Sequence, residues 1–89
     1  MTEPVEQTID GTLDLHTFHP ADVKDLVPAY LNVCRERGIL SVRIIHGKGT
    51  GSLRRTVHSL LDELPFVKSF RTAGEDGGGW GATIVELRE

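Results

Sequence analysis

The start of the chain alternates apolar and polar residues with a period of two. The apolar set is Ile9, Gly11, Leu13 and Leu15, and the polar set is Asp10, Thr12, Asp14 and His16. Successive side chains of a strand point to opposite faces, so this pattern is typical of a strand with one buried face. It predicts a first strand in which Asp14 and His16 project from the same face.

The period changes after Pro20 to that of a helix. The apolar positions are then Val23, Leu26, Val27, Tyr30, Leu31 and Cys34. Their spacing of three and four residues forms a single apolar stripe on a helix. Proline suits the first helical position and glycine the position after the last turn, so we expect this helix to begin at Pro20 and to stop at Gly38.

A second strand and a second helix follow. The run from Leu40 to Ile45 is rich in β-branched residues, as in a central strand covered on both sides. From Ser52 the apolar residues of the helix are Leu53, Val57, Leu60, Leu61 and Leu64, and the polar ones are Arg54, Arg55, His58 and Asp62. The periodicity assigns the polar set to the outer face, and Pro65 ends the helix.

Residues 66–71 and 82–88 read as two further strands, which we expect to pair as an antiparallel hairpin. The loop between them is rich in glycine and contains Trp80. This side chain is either a partly buried lid or an exposed platform for base stacking. We favour burial, because large aromatic side chains dominate small cores.

The element order β-α-β-α-β-β predicts the fold class. Right-handed crossovers place both helices on one face of a four-stranded mixed sheet, which gives an α/β two-layer sandwich. We expect residues 1–8 to be a flexible lead-in, because they contain little to bury, and residues 9–89 to form one domain. If the first two strands are parallel neighbours, His16 and His46 follow them at the same edge of the sheet.

The segment His46-Gly47-Lys48-Gly49-Thr50-Gly51 joins the second strand to the second helix. Glycines allow positive φ angles and a close approach of the backbone to a ligand, and the N–H groups of the first helical turn attract anions. Lys48 adds a mobile cation. The spacing is neither that of a Walker A loop nor that of the dinucleotide fingerprint. It predicts a site for a phosphate or a carboxylate and nothing narrower.

Arg54 and Arg55 come in the first turn of this helix, where the helix dipole disfavours cations. An anionic partner would remove that conflict, and the alternative is a solvated helix face. The net charge of −3 argues against strong non-specific binding of nucleic acid over the whole surface. An anionic partner would therefore bind locally, beside the glycine loop.

Several classes of protein are disfavoured by composition. Cys34 is the only cysteine, which excludes an internal disulfide and a cysteine zinc cage and suits a small core residue. No apolar run is long enough to cross a bilayer, and the N-terminus is acidic and polar where a secretory signal would be basic and then apolar. We expect a cytoplasmic monomer.

Three blocks of sequence resemble the Smr (small MutS-related) domain family. They are Leu13-Asp14-Leu15-His16, the segment 44–51 around the glycine loop, and the segment 78–87, which begins Gly78-Gly79-Trp80-Gly81. The resemblance covers nearly the whole chain from Ile9. Members share the fold of the C-terminal domain of bacterial translation initiation factor three. Several nick DNA or cleave RNA, and others bind nucleic acid without cleaving it.

The resemblance implies nucleic-acid binding with endonuclease activity on DNA or RNA. It implies catalytic roles for Asp14, His16 and His46. For such a domain we assign nucleic-acid binding to Gly47, Lys48, Gly49, Thr50, Gly51, Arg54, Arg55, Gly78, Gly79 and Trp80. In the first block Thr17 replaces the family's glycine. The turn after His16 must therefore be built differently, which weakens the expectation of cleavage more than the expectation of binding.

Chemistry at the edge of the sheet suggests how such a site would work. Imidazole exchanges its proton near neutral pH, so His16 or His46 suits a general acid or base, with Asp14 to orient His16 or to hold a cation. We assign no metal ligand: a divalent ion such as Mg²⁺ is compatible with the site, but such sites usually contain two or more carboxylates. The alternatives are a non-catalytic module that binds structured RNA, branched DNA or ribosomes, and a small-anion sensor.

Overall fold

The computed structural model describes residues 9–15, 18–47, 51–73 and 81–89. The elements in chain order are β1 (Thr12–Asp14), α1 (Pro20–Glu36), β2 (Ser41–Ile45), α2 (Ser52–Glu63), β3 (Val67–Thr72) and β4 (Ala82–Leu87). This order is the predicted one, although β1 is shorter than the alternating stretch of sequence. The predicted lead-in, residues 1–8, lies outside the described residues.

The four strands form one mixed sheet in the order β1-β2-β4-β3. β1 is parallel to β2, and β4 is antiparallel to both of its neighbours, β2 and β3. The predicted hairpin and the predicted parallel pair are therefore both confirmed. β4 is a central strand, however, which places the residues just before it next to the end of β2.

The register of the strands decides which side chains face the helices. Leu13 is the partner of Ile44 in the β1–β2 pair, and all three of Leu13, Ile44 and Val85 are buried. The other face carries Asp14 opposite Ile45 and Arg43 opposite Ile84, none of which is buried. Both helices cover the first face, so the chain is the expected two-layer sandwich.

The core lies between this face and the helices. α1 contributes five buried side chains, which are Val23, Val27, Tyr30, Leu31 and Cys34. Cys34 is fully buried, as expected for a small core residue. No helix in the described part of the chain is long and apolar enough to span a membrane.

Tyr30 ties α1 to the start of β1. Its hydroxyl donates to the carbonyl of Thr12 at 3.0 Å and accepts from the N–H of Gly11 at 3.2 Å. Gly11 has a φ of +92°, and a Cβ there would lie 3.2 Å from Cγ2 of Ile39. Glycine is therefore required both by the backbone angle and by the space available. These contacts fix the strand that leads to Asp14.

Candidate functional site

The ends of β1 and β2 meet at one edge of the sheet. The N–H of Leu15 donates to the carbonyl of Ile45 at 2.8 Å, so the parallel pairing reaches the last residue before His16 and His46. His16 itself lies outside the described residues, and its proximity to His46 remains a prediction.

The junction between β2 and the glycine loop is held by a single carbonyl group. The N–H groups of His46 and Gly47 both donate to the carbonyl of Gly81, at 2.8 and 2.9 Å. Gly81 immediately precedes β4, so this carbonyl joins the end of one central strand to the start of the other. Gly47 has a φ of +82° and Gly51 one of +87°, which confirms that both ends of the loop use the conformational freedom of glycine.

His46 lies on the face of the sheet that the helices cover, and only 5% of its surface is exposed. Its Nε2 is 2.8 Å from Oγ1 of Thr83, and its Nδ1 is 3.2 Å from the carbonyl oxygen of Gly47. A carbonyl can only accept, so Nδ1 carries the proton in this bond. In the neutral ring Nε2 is then the acceptor from the Thr83 hydroxyl. The imidazole of His46 is thus bonded to the protein at both nitrogens.

A second histidine reaches the same hydroxyl. Nε2 of His58 is 2.8 Å from Oγ1 of Thr83, and the centroid of the His58 ring is 4.9 Å from that of Phe70. Thr83 is fully buried. The assignment of His58 to the outer face of its helix is wrong, because the ring turns inward between α2 and the sheet.

One sequence signal could have pointed to His58. Thr83 is the polar exception among the inward residues of β4, where Val85 and Leu87 are buried apolar residues. A buried hydroxyl needs hydrogen-bond partners. Those partners would have to be polar residues on the packed faces of the neighbouring elements, and His58 is one turn after Arg54 on α2.

Burial lowers the pKa of both rings. For His46, burial outweighs the bond to the Gly47 carbonyl, which raises the pKa, and the charge of Arg54 lowers it further. For His58, burial lowers the pKa first, followed by His46 and Arg54, while Asp62 raises it. Both shifts favour the neutral imidazole, because a charged ring would lose hydration in this site.

A cavity of about 280 Å³ lies beside His46. Its lining comprises Pro20, His46, Gly47, Gly51, Ser52, Leu53, Arg54 and Thr56. The first residues of α1 and of α2 both line it, so the positive ends of two helix dipoles meet there. α2 has no acidic residue in its first turn and no side-chain cap from Gly51. The first turn of α2 and the Arg54 guanidinium are therefore the groups that favour an anion there, because α1 begins with Pro20, which has no N–H, and carries Asp22 in its first turn.

The two predicted arginines have different surroundings. Arg54 lines the cavity, and a Cβ added at Gly51 would lie 3.5 Å from its Nη2. Arg55 is exposed and borders a separate groove that also contains Lys24 and Glu63. Arg54 is thus the arginine that the fold places at the end of the glycine loop.

Asp14 is separated from His46 by the sheet. It is exposed and is paired with Ile45, so it projects from the face opposite to His46. The nitrogens of His46 are bonded to Gly47 and Thr83, and Asp14 therefore does not orient this ring. Its relation to His16 falls outside the described residues.

Several predicted binding residues also lie outside the described ranges. They are Lys48, Gly49, Thr50, Gly78, Gly79 and Trp80. Within those ranges, no group of three or more histidine, cysteine or acidic side chains is arranged to hold a metal ion.

The chain is a small domain of the mixed α/β sandwich class, with a glycine loop at the carboxyl end of β2, one of its two central strands. Comparison with known proteins identifies the family of this domain. The Smr domain model matches residues 13–88. The chain therefore belongs to the Smr domain family, and the expected resemblance is confirmed.

Curated relatives and solved structures agree with this assignment. The chain is 53% identical over 76 residues to the Endonuclease MutS2 of Halalkalibacterium halodurans, covering 85% of the chain and 10% of the relative. It is 38% identical over 79 residues to that of Thermomicrobium roseum, covering 89% of the chain and 10% of the relative. The chain thus spans about a tenth of the length of these relatives.

Two solved structures share the fold. The Smr domain of Thermus thermophilus MutS2 has a TM-score of 0.84 at 35% identity, covering 90% of this chain and all of that one. YdaL, a stand-alone small MutS-related protein from Escherichia coli, has a TM-score of 0.80 at 29% identity, covering 89% of this chain and 65% of that one.

We predict that the buried histidines make folding stability depend on pH. Their pKa values are lowered in the folded state from an ordinary value of 6.5, so the unfolded chain binds more protons below that pH. This stability is fully present above about pH 6.5 and is lost as the pH falls toward the lowered values. Urea unfolding between pH 7.5 and 5 measures it.

Two variants provide the comparison for this experiment. His58→Gln should reduce the loss of unfolding free energy on acidification, because one of the two groups is removed. His19→Gln, at an exposed position, is the control for the replacement of a histidine by glutamine. Equal pH dependence in wild type and His58→Gln would show that this ring does not contribute.

Proposed function

We propose that this chain binds the phosphodiester backbone of a nucleic acid at the cavity beside the glycine loop and cleaves it as an endonuclease. The observation that carries the proposal is the convergence of Arg54, the positive-φ glycines and two helix N-termini on one cavity. Backbone N–H groups, helix termini and arginine are the groups with which proteins hold phosphates.

The relatives support a nucleic acid over a small anion. Those reported above carry the name Endonuclease MutS2, and the match to them covers most of this chain. The open cavity at the edge of a sheet also suits a phosphate that belongs to a long polymer, which must enter and leave along the surface. Small-anion sensing has no comparable support.

Cleavage at this cavity would use two kinds of group. Arg54 and the amides of the α2 N-terminus would stabilise the negative charge that develops on the phosphoryl oxygens. Nδ1 of His46 points toward Gly47, which also lines the cavity, and its bond of 3.2 Å to the Gly47 carbonyl is long enough to exchange for a substrate oxygen. His16 would act from the end of the neighbouring strand, whereas Asp14 projects from the opposite face of the sheet and is assigned no contact with a phosphate in this cavity. No step is assigned to a metal ion.

A non-catalytic binding module is the second candidate function. The observation that favours it is the burial of His46, whose two ring nitrogens are both engaged within the protein. In that case His46 shapes the loop, the cavity binds phosphate, and no bond is broken.

Arg54→Gln should weaken binding of DNA and RNA oligonucleotides of all sequences alike, because a phosphate contact carries no base information. It should also reduce the slope of log affinity against log salt concentration by about 0.7 to 0.9, the contribution of one phosphate contact. Fluorescence anisotropy over a range of salt concentrations measures both quantities.

Arg37→Gln serves as the matched control for Arg54→Gln. Arg37 is exposed after the C-terminal end of α1, at the other end of that helix from Pro20, and the substitution removes the same charge. Equal losses of affinity and slope in the two variants would mean that only net charge matters. Arg55→Gln reports whether the neighbouring groove extends the interface.

His46→Ala should lower the rate of plasmid nicking or RNA cleavage by roughly 10²–10⁴-fold while affinity stays within a few-fold, because proton transfer is needed only in the transition state. The assay compares purified wild type and variant with and without EDTA, on DNA and on RNA. Affinity and melting temperature are measured on the same preparations.

His46→Gln separates chemistry from folding. A glutamine amide can keep a bond to Thr83 but cannot act as an acid or base near neutral pH. A cleavage rate equal to that of wild type in either variant would end the catalytic role of His46. Absence of cleavage by the wild-type protein, with Arg54-dependent binding retained, would establish the binding module instead.

A further inference from the structure

Three polar groups lie in a row behind the candidate site: the buried imidazole of His46, the buried hydroxyl of Thr83 and the half-buried imidazole of His58. Oγ1 of Thr83 is 2.8 Å from Nε2 of each ring. The two ring centroids are 6.2 Å apart, so the rings do not bond to each other directly. Thr83 is the link between them.

The number of protons fixes the direction of these bonds. The hydroxyl of Thr83 has one proton to donate. His46 donates from Nδ1 to the carbonyl of Gly47, which leaves Nε2 of the neutral ring as an acceptor. Thr83 must then donate to His46 and accept from Nε2–H of His58. The reverse assignment would turn an unprotonated Nδ1 toward the Gly47 carbonyl, so that two acceptors would face each other.

We propose that Thr83 and His58 are positioning residues that hold His46 in the tautomer with its proton on Nδ1. Phe70 packs against the ring of His58, and α2 carries that ring one turn after Arg54. The charged groups that act on the two rings are Arg54 and Asp62, both on α2. From the sheet the rings meet Phe70 and Thr83, which do not titrate near neutral pH.

The fixed tautomer has a chemical consequence that rests on the proposed function. The lone pair of the His46 ring is turned to Thr83, and the N–H is turned to the carbonyl of Gly47, a residue that also lines the cavity. Toward an oxygen on the Gly47 side, neutral His46 therefore presents a proton, which fits the general acid and not the general base of the proposed cleavage. Thr83 determines this by donating to Nε2 of His46, and His58 fixes the direction of that bond by donating to the oxygen of Thr83.

The tautomers are directly measurable by long-range ¹H–¹⁵N correlation spectra of the ¹⁵N-labelled full chain near pH 7.5. Histidine in water favours the form protonated at Nε2, so the Nδ1–H form at His46 is diagnostic. We expect Nδ1–H at His46 and Nε2–H at His58. A spectrum with Nε2–H at His46 in the wild-type protein would overturn the proposal.

Thr83→Val and Thr83→Ser test the role of the hydroxyl itself. Valine keeps the shape of the buried side chain and removes the hydroxyl, so the population of Nε2–H at His46 should rise at least several-fold. Serine keeps the hydroxyl and should restore the wild-type tautomer. An unchanged tautomer in folded Thr83→Val would refute the linking role of Thr83. Serine lacks the methyl group of threonine, so it would not restore the tautomer if the effect of valine were a packing defect.

His58→Gln and His58→Leu test the other end of the row, and they replace the Thr83 variants if valine prevents folding. Glutamine can donate to Thr83 and should preserve Nδ1–H at His46, whereas leucine cannot and should shift the tautomer. Equal spectra for the two variants would exclude His58 from positioning. These measurements need no nucleic acid. If the wild-type tautomers are as expected but the protein binds no phosphate, the proposed function is refuted and the positioning role of Thr83 and His58 stands.

Discussion

The carbonyl group of Gly81 is the contact on which the candidate site depends. By accepting from both His46 and Gly47, it holds the end of β2 against the start of β4 at the point where the chain leaves the sheet. The loop that follows therefore starts from a fixed backbone. α2 then begins beside it, and Arg54 and His46 line the same cavity although they belong to different elements.

Local periodicity predicted most of the fold because each element has one buried face. The alternation before Leu15 and the helical stripe from Val23 to Cys34 correspond to β1 and α1, and the parallel pairing of β1 with β2 was also correct. The central place of β4 was not predicted. Strand order depends on pairing between distant segments, and the hairpin of β3 and β4 is compatible with β4 either at the edge or inside the sheet.

The candidate site was harder to predict than the fold. Asp14 and His46 were both assigned to a site at one edge of the sheet, but the register Asp14–Ile45 puts their side chains on opposite faces. The alternation of side chains along one strand shows which residues share a face, but it does not give the register between two strands. The inward position of His58 was missed for a related reason. Helical periodicity assigns polar residues to the solvent-facing side, and a histidine that turns inward can be identified only from its hydrogen-bond partner, which here is Thr83.

The local environment explains how a domain with net negative charge could hold a polyanion. The net charge is −3, yet the cavity beside the glycine loop combines two helix N-termini with Arg54, and burial lowers the pKa of the two histidines behind it. An anion there meets directed N–H groups and one guanidinium. Binding of this kind depends on the position of the charged groups and not on the net charge of the chain.

The most direct test of this account is a titration of ¹⁵N-labelled protein with a short oligonucleotide, followed by ¹H–¹⁵N correlation spectra at moderate salt. We predict that the largest chemical-shift changes fall on the amides around the cavity, at Gly47, Gly51, Leu53 and Arg54. We predict small changes at Arg43 and Arg71 on the opposite face of the sheet. The reverse distribution, with the changes concentrated at Arg43 and Arg71, would contradict the account and move the interface to the open face.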